Sequence, residues 1–280
     1  MSSIRSIAFV VNVQKSGAPE LAADLMQRAT EAGAEVKETH DFPVPVSFLH
    51  GCDACCVIGG DGTLLGIARS AAEAGVPIIG VNRGSLGFLT TFSAEEAREH
   101  LPALIDGGFT LAKRVMLECA SGGDQRDLAL NDIVIKDENH SRLTRLSVHA
   151  DGKFVTTYTC DGLILTSPTG STAYNLSAGG PLIHSGAEVI GLTPICPHTL
   201  SNRSIIFNQD VNLTIAAEDP GSCVAIAVDG QRNLRTCEGG KITVSVSPHR
   251  MKLVQRASFD HFKILRTKLK WTGGVTNGEK

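Results

Sequence analysis

Cys55-Cys56-Val57-Ile58-Gly59-Gly60-Asp61-Gly62-Thr63-Leu64-Leu65 contains the turn on which the reading of the fold depends. An apolar run ends at three closely spaced glycines, and residues at helical spacing continue to Gly75. That order predicts a buried strand, a turn built from backbone, and a helix over residues 64–74. Glycines let the backbone approach an anionic ligand closely, and the helix start offers it unpaired N–H groups. A carboxylate there repels phosphate, so Asp61 makes chemical sense as a holder of Mg2+ or as acceptor for the proton of an attacking hydroxyl. The run alone is also open to a plainer reading, a tight turn with Asp61 or Thr63 as helix N-cap.

The same grammar repeats on either side. Residues 6–13 form a short β-rich run, and residues 19–32 place Leu21, Leu25 and Ala29 at helical spacing before Gly33. Residues 34–38 and 76–81 read as further strands, the second leading into Asn82-Arg83-Gly84-Ser85-Leu86-Gly87. Residues 94–105 read as a helix stopped by Asp106-Gly107-Gly108. Such alternation predicts an α/β, Rossmann-like domain with a mostly parallel sheet over residues 1–108. After Phe109 the runs become short and β-rich: residues 111–120, 128–136, 145–150, 153–159, 162–166, 212–217, 223–228 and 241–247. Asp151-Gly152 joins two of them as a hairpin turn, because that geometry needs positive φ. An all-β domain, a β-sandwich, is expected over residues 109–255, and the basic segment 256–280 is expected to pack back on the first domain.

With 280 residues, 42% of them apolar, there is material for two real cores, and no stretch approaches 18 uninterrupted apolar residues. A net charge of −3 and a pI near 6.3 argue against nucleic acid or an anionic membrane as the main partner. Met1-Ser2-Ser3-Ile4-Arg5 has neither the apolar core nor the cleavage site of a signal peptide, so a cytoplasmic location is expected. Cys52-Asp53-Ala54-Cys55 is formally C-x-x-C, but no second pair follows at zinc-ribbon spacing. The eight cysteines are therefore expected to be structural, reduced thiols.

Three further stretches carry polar chemistry. Residues 161–180, DGLILTSPTGSTAYNLSAGG, end a strand in hydroxyls and glycines around Pro168 and turn helix-like near Thr172, which suits ribose, phosphate or amide groups of a nucleotide. Asn131-Asp132 interrupts the apolar run 128–136, and adjacent strand residues face opposite sides, so one of them faces an interior or a cleft. An edge-strand or bulge position explains the pair equally well. Asp229-Gly230-Gln231 reads first as a hairpin turn, and His198 in Pro194-Ile195-Cys196-Pro197-His198 lacks further metal ligands nearby.

Taken together, these motifs resemble the ATP-dependent NAD kinase family of bacterial type. The resemblance runs through Gly59–Thr63, Asn82-Arg83-Gly84 with Leu86-Gly87-Phe88-Leu89, Asn131-Asp132, the 161–180 block, Pro197-His198-Thr199-Leu200 and Leu265-Arg266-Thr267-Lys268-Leu269. It is collinear from about residue 55 to 271. Gly-Gly-Asp-Gly also occurs in lipid kinases and phosphofructokinases, so the 161–180 block is the specific part.

The resemblance implies transfer of the γ-phosphoryl of ATP to the 2′-hydroxyl of the adenosine ribose of NAD, at a site formed between the two domains. Asp61 is then the catalytic proton acceptor. Asp61, Gly62, Asn131, Asp132, Arg142, Asp161, Thr172, Ala173, Tyr174, Asn175, Leu176, Ser177 and Gln231 correspond to NAD-binding positions. Gly59, Gly60, Gly62 and Thr63 correspond to the phosphate-binding turn for ATP. Asp132 stands where the family often has Glu, and Thr159 where some relatives have a larger basic residue. The expected cofactor is a divalent cation, Mg2+, arriving with ATP rather than in an all-protein metal site. A homodimer or homotetramer is expected, with NAD and ATP as partners and no nucleic acid or membrane. Two other readings stand beside this one: a lipid kinase of the same superfamily, and a non-catalytic NAD(P)(H)-binding regulator.

Overall fold

The computed structural model describes residues 3–84, 87–122, 125–138, 143–199, 201–237, 240–256 and 258–271. Ser85, Leu86, Arg142 and Leu200, all singled out from the sequence, lie outside them. The chain divides into two compact units, Met1–Ala112 with Leu253–Lys280, and Lys113–Lys252.

The first unit opens with β1 (Ser6–Val11), α1 (Ala18–Glu31), β2 (Glu35–Thr39), α2 (Val46–Leu49), β3 (Ala54–Gly59) and α3 (Asp61–Ala74). β4 (Ile78–Asn82), β5 (Phe92–Ser93) and α4 (Ala94–Ile105) follow. Its strands are parallel in the order β4-β3-β1-β2, with β5 beside β4. Every residue of β3 is buried, which is why its sequence is continuously apolar rather than alternating. On one face Phe9, Cys56 and Ile58 pack with Leu21, Leu25 and Ala29 of α1 and Leu101 and Leu104 of α4. Ser93 and Glu96 form a reciprocal capping box that starts α4.

One residue, Gly60, separates β3 from α3. A Cβ on Gly59 would lie 2.7 Å from Thr63 Cβ, so the strand can pass this directly into the helix only as glycine. At the other end Gly75 closes α3 at φ 70°.

The second unit contains β6 (Thr110–Ser121), β7 (Gln125–Ala129), β8 (Asp132–Asp137), β9 (Thr144–Ala150), β10 (Lys153–Cys160) and β11 (Gly162–Thr166). A 3-10 turn (Thr169–Thr172) and α5 (Tyr174–Ser177) precede β12 (Val189–Ile195), β13 (Ile205–Asn208), β14 (Leu213–Ala217), β15 (Cys223–Val228), β16 (Arg232–Cys237) and β17 (Lys241–Gln255). β6 and β17 run through the division between the units. One antiparallel sheet has the order β13-β12-β11-β8-β15-β16, and a second path runs β10-β9-β14-β17. Ile133, Ile135, Leu163 and Ile226 from the first share a core with Leu146, Val148, Leu213 and Ile215 from the second. Two sheets facing one core make the expected sandwich. Asp151 and Gly152 both have positive φ at the β9–β10 turn. After β17, whose Leu253 pairs with Ile78 of β4, α6 (His261–Lys268) buries Ile264 and Leu265 and is capped by Asp260.

The structure corrects several expectations. Residues 128–136 are not one strand: β7 ends at Ala129 and β8 begins at Asp132, for a reason given below. β12, β13 and β16 were not read as strands from the sequence. The helix expected near Thr172 is a four-residue turn of helix. Five cysteines are buried free thiols and Cys196 is an exposed one, but Cys223 and Cys237 form a disulfide, against the expectation of reduced thiols throughout. They are register partners on β15 and β16, a juxtaposition spacing alone does not reveal. Burial pushes the Cys56 thiol up to about 12 and holds Cys55 well above its usual range, so this cluster is inert packing. No helix among the described residues is long and apolar enough to cross a membrane.

Candidate active site

In the first unit Asp61 is the opening residue of α3, with Gly60 in the cap position. Its side chain does not cap its own helix; capping falls to Thr63, whose hydroxyl accepts the Gly60 amide at 3.5 Å from the third helical position. The Asp61 side chain reaches across to the loop after β4 instead. Oδ2 accepts the amide of Phe88 at 2.8 Å. Oδ1 accepts the amides of Leu89 at 3.2 Å and Thr90 at 3.0 Å, and the Thr90 hydroxyl at 2.9 Å. Thr90 is fully buried, and its hydroxyl in turn accepts Asn82 Nδ2 at 2.9 Å. Asn82 Oδ1 accepts the amide of Gly84. A continuous relay therefore runs from the end of β4 through Thr90 to the carboxylate.

Gly87 completes this arrangement. A Cβ there would fall on the carboxylate of Asp61, so the loop and the acid can meet only because residue 87 has no side chain. Thr63 is buried behind the turn, its hydroxyl accepting Asn12 Nδ2 at 3.1 Å. Arg83 Nε donates to the carbonyl of Ser16 at 3.2 Å. Neither Thr90 nor Asn12 was singled out from the sequence, where an isolated Thr or Asn carries no signal.

In the second unit a cleft of about 620 Å3 is lined by Asn131, Asp132, Lys136, Ala173, Tyr174 and Asp229, with Ala225, Ala227, Gly230, Asn233, Val134 and Glu138. Asp229 organises it from the β15–β16 turn, where it has φ 53°. Its Oδ2 accepts the amide of Leu130 at 2.9 Å, and its Oδ1 accepts those of Asn131 at 2.7 Å and Asp132 at 3.2 Å. Three consecutive amides turned to one carboxylate cannot continue a ladder, which is why the chain breaks between β7 and β8. Arg232 braces the arrangement, with Nε on Asp127 at 2.8 Å, Nη2 on the Leu128 carbonyl at 2.7 Å, and Nη2 at 3.7 Å from Asp229.

Burial raises the Asp229 carboxyl, opposed by the amides it accepts and by Arg232. Burial, and then the neighbouring charge of Asp229, pushes Asp132 up to about 7. Lys136 donates to the Tyr174 hydroxyl at 3.0 Å, with Nζ 5.2 Å from the ring centroid.

Of the remaining sequence candidates, the structure brings only Ala173 and Tyr174 of the 172–177 run to the cleft lining. Asn175 is fully buried, donating to the carbonyls of Ser171 and Pro181 and accepting from Thr193. The hydroxyls of Ser167, Ser171 and Thr172 also bond to nearby backbone carbonyls, so much of the polar block is scaffold. Asp161, Ser177 and Gln231 are exposed and outside the lining, and Thr172 and Leu176 are half-buried. Asp229, Lys136 and Glu138 are cleft residues that sequence reasoning did not place there.

Among the described residues, Glu138, Cys223 and Cys237 present three possible metal ligand atoms within 4.8 Å, but the two sulfurs are joined to each other. The arrangement offers two kinds of chemistry. One is a glycine turn with a single oriented carboxylate, and the other is a cleft rich in acceptors for hydroxyl and amine donors.

Comparison with known proteins agrees with both halves. The N-terminal domain of ATP-NAD kinase matches residues 5–109, and the C-terminal domain of ATP-NAD kinase matches residues 130–256. An NAD kinase of Clostridium botulinum is 42% identical over 234 residues, covering 81% of this chain and 82% of its own. One from Natranaerobius thermophilus is 35% identical over 285 residues, covering 97% and 99%. Among solved structures, yeast NADH kinase complexed with NADH has the same fold, with a TM-score of 0.87 at 23% identity over 100% of this chain and 91% of its own. An NAD kinase from Archaeoglobus fulgidus in complex with ATP gives 0.80 at 25% identity, covering 96% and 100%. On these matches to both of its halves, the chain belongs to the ATP-NAD kinase family.

Proposed function

We propose that this chain performs its family's reaction, moving the γ-phosphoryl of ATP to the 2′-hydroxyl of the adenosine ribose of NAD, with Asp61 accepting the hydroxyl proton. The observation that carries the reading is the oriented Asp61 carboxylate in the glycine turn, whose Oδ2 accepts one hydrogen bond from the described residues, leaving a lone pair for a proton. A ribose hydroxyl is a weak nucleophile, so it needs in-line placement and somewhere to leave its proton. As the new O–P bond forms and the β–γ bridging bond breaks, the proton passes to Asp61 and ADP leaves.

Gly59, Gly60, Gly62 and Thr63 form the turn that the phosphates approach, close to the backbone because three of the four carry no side chain. Asp61 is the one carboxylate of this turn, and three donors fill its Oδ1. One carboxylate with a single oxygen to spare is too few ligands for an all-protein metal site, so a divalent cation, Mg2+, would be held mainly by the triphosphate it arrives on, beside Asp61, and would supply charge neutralisation there. The cleft supplies the dinucleotide's site: carboxylates repel phosphate but accept hydrogen bonds from ribose hydroxyls and an adenine amine. Asn131, Asp132, Ala173 and Tyr174 contact NAD there, with Gly62, Arg142, Asp161, Thr172, Leu176, Ser177 and Gln231 completing the set. Asn175 contributes by positioning its helical turn.

The same reading assigns residues 1–108 to the ATP-handling domain, 109–255 to the NAD-binding domain and 256–280 to a segment that returns to the first. It includes a homodimer or homotetramer and a cytoplasmic location. Incubating the full chain with ATP, Mg2+ and NAD tests it. 31P NMR is expected to show a 2′-monoester and ADP in equal amounts. No NADP at high enzyme concentration, or a phosphate on another hydroxyl, overturns it.

A further inference from the structure

The Cys223–Cys237 disulfide is placed to matter for the cleft. It joins the register partners at the open end of the β15–β16 hairpin, and the turn at the other end carries Asp229. β16 is the edge strand of its sheet, so within the sheet it pairs with β15 alone. The same strand carries Arg232, which braces Asp229, Asp127 and the Leu128 carbonyl, and Asn233, which lines the cleft. Both cysteines are half-buried, unlike the five buried free thiols. Arg235 Nη2 donates to Cys223 Sγ at 3.7 Å and pairs with Glu138, another cleft residue, at 2.8 Å.

We propose that Cys223–Cys237 is a thiol–disulfide exchange site for a dithiol reductant, and that opening it loosens the amide cradle at residues 130–132. A reductant thiolate attacks Cys237 Sγ, and the sulfur–sulfur bond breaks with its electron pair moving to Cys223 Sγ. The guanidinium of Arg235 stabilises that leaving thiolate, and a better leaving thiolate speeds exchange. The second reductant thiol then attacks the mixed disulfide and releases Cys237, leaving two protein thiols and one oxidised dithiol. Two electrons and two protons have moved. Without the covalent tie the edge strand is held by its ladder, its arginine contacts, the Ser121 hydroxyl on the Arg235 carbonyl and the packing of Leu234, so Arg232 grips Asp229 less firmly.

The test equilibrates the full chain in buffers of stepped dithiothreitol to oxidised dithiothreitol ratio. Native alkylation with N-ethylmaleimide and peptide mass mapping read the thiols, and amide hydrogen exchange reads residues 125–137. Reduction is expected to add tags at Cys223 and Cys237 and to speed exchange of the Leu130, Asn131 and Asp132 amides by roughly tenfold, a coupling of ordinary size. Arg235→Gln is expected to slow reduction several-fold. The Cys223→Ser/Cys237→Ser double variant is expected to exchange like the reduced protein in every buffer. Untagged cysteines under full reduction, or amide exchange equal in both states, overturn the proposal. These readouts need no bound NAD, so they stand apart from the proposed function. If that function holds, calorimetry is expected to show weaker NAD binding in the reduced form, and equal affinity would deny the disulfide any role in the reaction.

Discussion

Asp229 and Asp132 hold each other through the backbone in both directions. Asp229 Oδ1 accepts the Asp132 amide at 3.2 Å, and the Asp229 amide donates to the Asp132 carbonyl at 2.9 Å. Two carboxylates are thereby fixed side by side in one cleft although 97 positions separate them.

Removing the Asp229 carboxylate leaves three amides without their acceptor. Asp229→Ala is expected to cost about 3–5 kcal/mol, given that each buried unpaired group costs about 1–3 kcal/mol. Asp229→Asn keeps one oxygen acceptor and is expected to lose less. Urea unfolding of the two variants checks the order, and equal losses would show that the amide cradle is not what Asp229 supports.

Asp132 makes stability depend on pH in a definite direction. Its carboxyl is pushed up to about 7 in the folded protein from a value of 3.8. Between those values the folded chain holds a proton that the unfolded chain has released. Stability therefore falls as pH rises from about 4 to about 7, and the loss is complete above that. Asp132→Asn cannot ionise, so relative to wild type it is expected to gain of order 2–4 kcal/mol across this window. Unfolding midpoints at pH 4.5 and 7.5 measure it, and parallel profiles for the two proteins would contradict the shift.

Thr90 is fully buried, so it positions the Asp61 carboxylate rather than touching substrate. Thr90→Val removes one donor to Oδ1 and the acceptor for Asn82. A roughly tenfold fall in kcat is expected, less than the hundredfold that an ångström of misplacement can cost. KM for ATP is expected to change little. Steady-state kinetics decide, and an unchanged kcat would mean the three loop amides orient Asp61 unaided.

Gly87→Ala probes the same contact from the other side, because the added methyl must displace the carboxylate or the loop. Activity is expected to fall further than in Thr90→Val, roughly a hundredfold. Near-normal activity would show that the loop yields without moving the acid.

Much of this was legible in the chain, for reasons that are local. The β3–α3 junction could be read because buried parallel strands and glycine turns leave dense signals over ten residues. Asp151-Gly152 was readable because two positive φ values restrict the residue types allowed. β16, Arg232–Cys237, was missed because an edge strand with alternating polar residues resembles a loop. The break at residues 130–131 was invisible because its cause, Asp229, lies 98 residues from Asn131. For the same reason the 161–180 block promised a row of ligand contacts. The structure turns several of its hydroxyls and Asn175 inward, since buried polar groups must find partners.

The proposed transfer of the hydroxyl proton to Asp61 is open to one decisive variant, Asp61→Asn, because the amide keeps an oxygen acceptor but cannot serve as a base. With ATP, Mg2+ and NAD at saturation, and with the variant's thermal unfolding matched to wild type, NADP formation is expected to slow by roughly 10²–10⁴-fold. A folded Asp61→Asn protein that makes NADP at the wild-type rate would contradict the account.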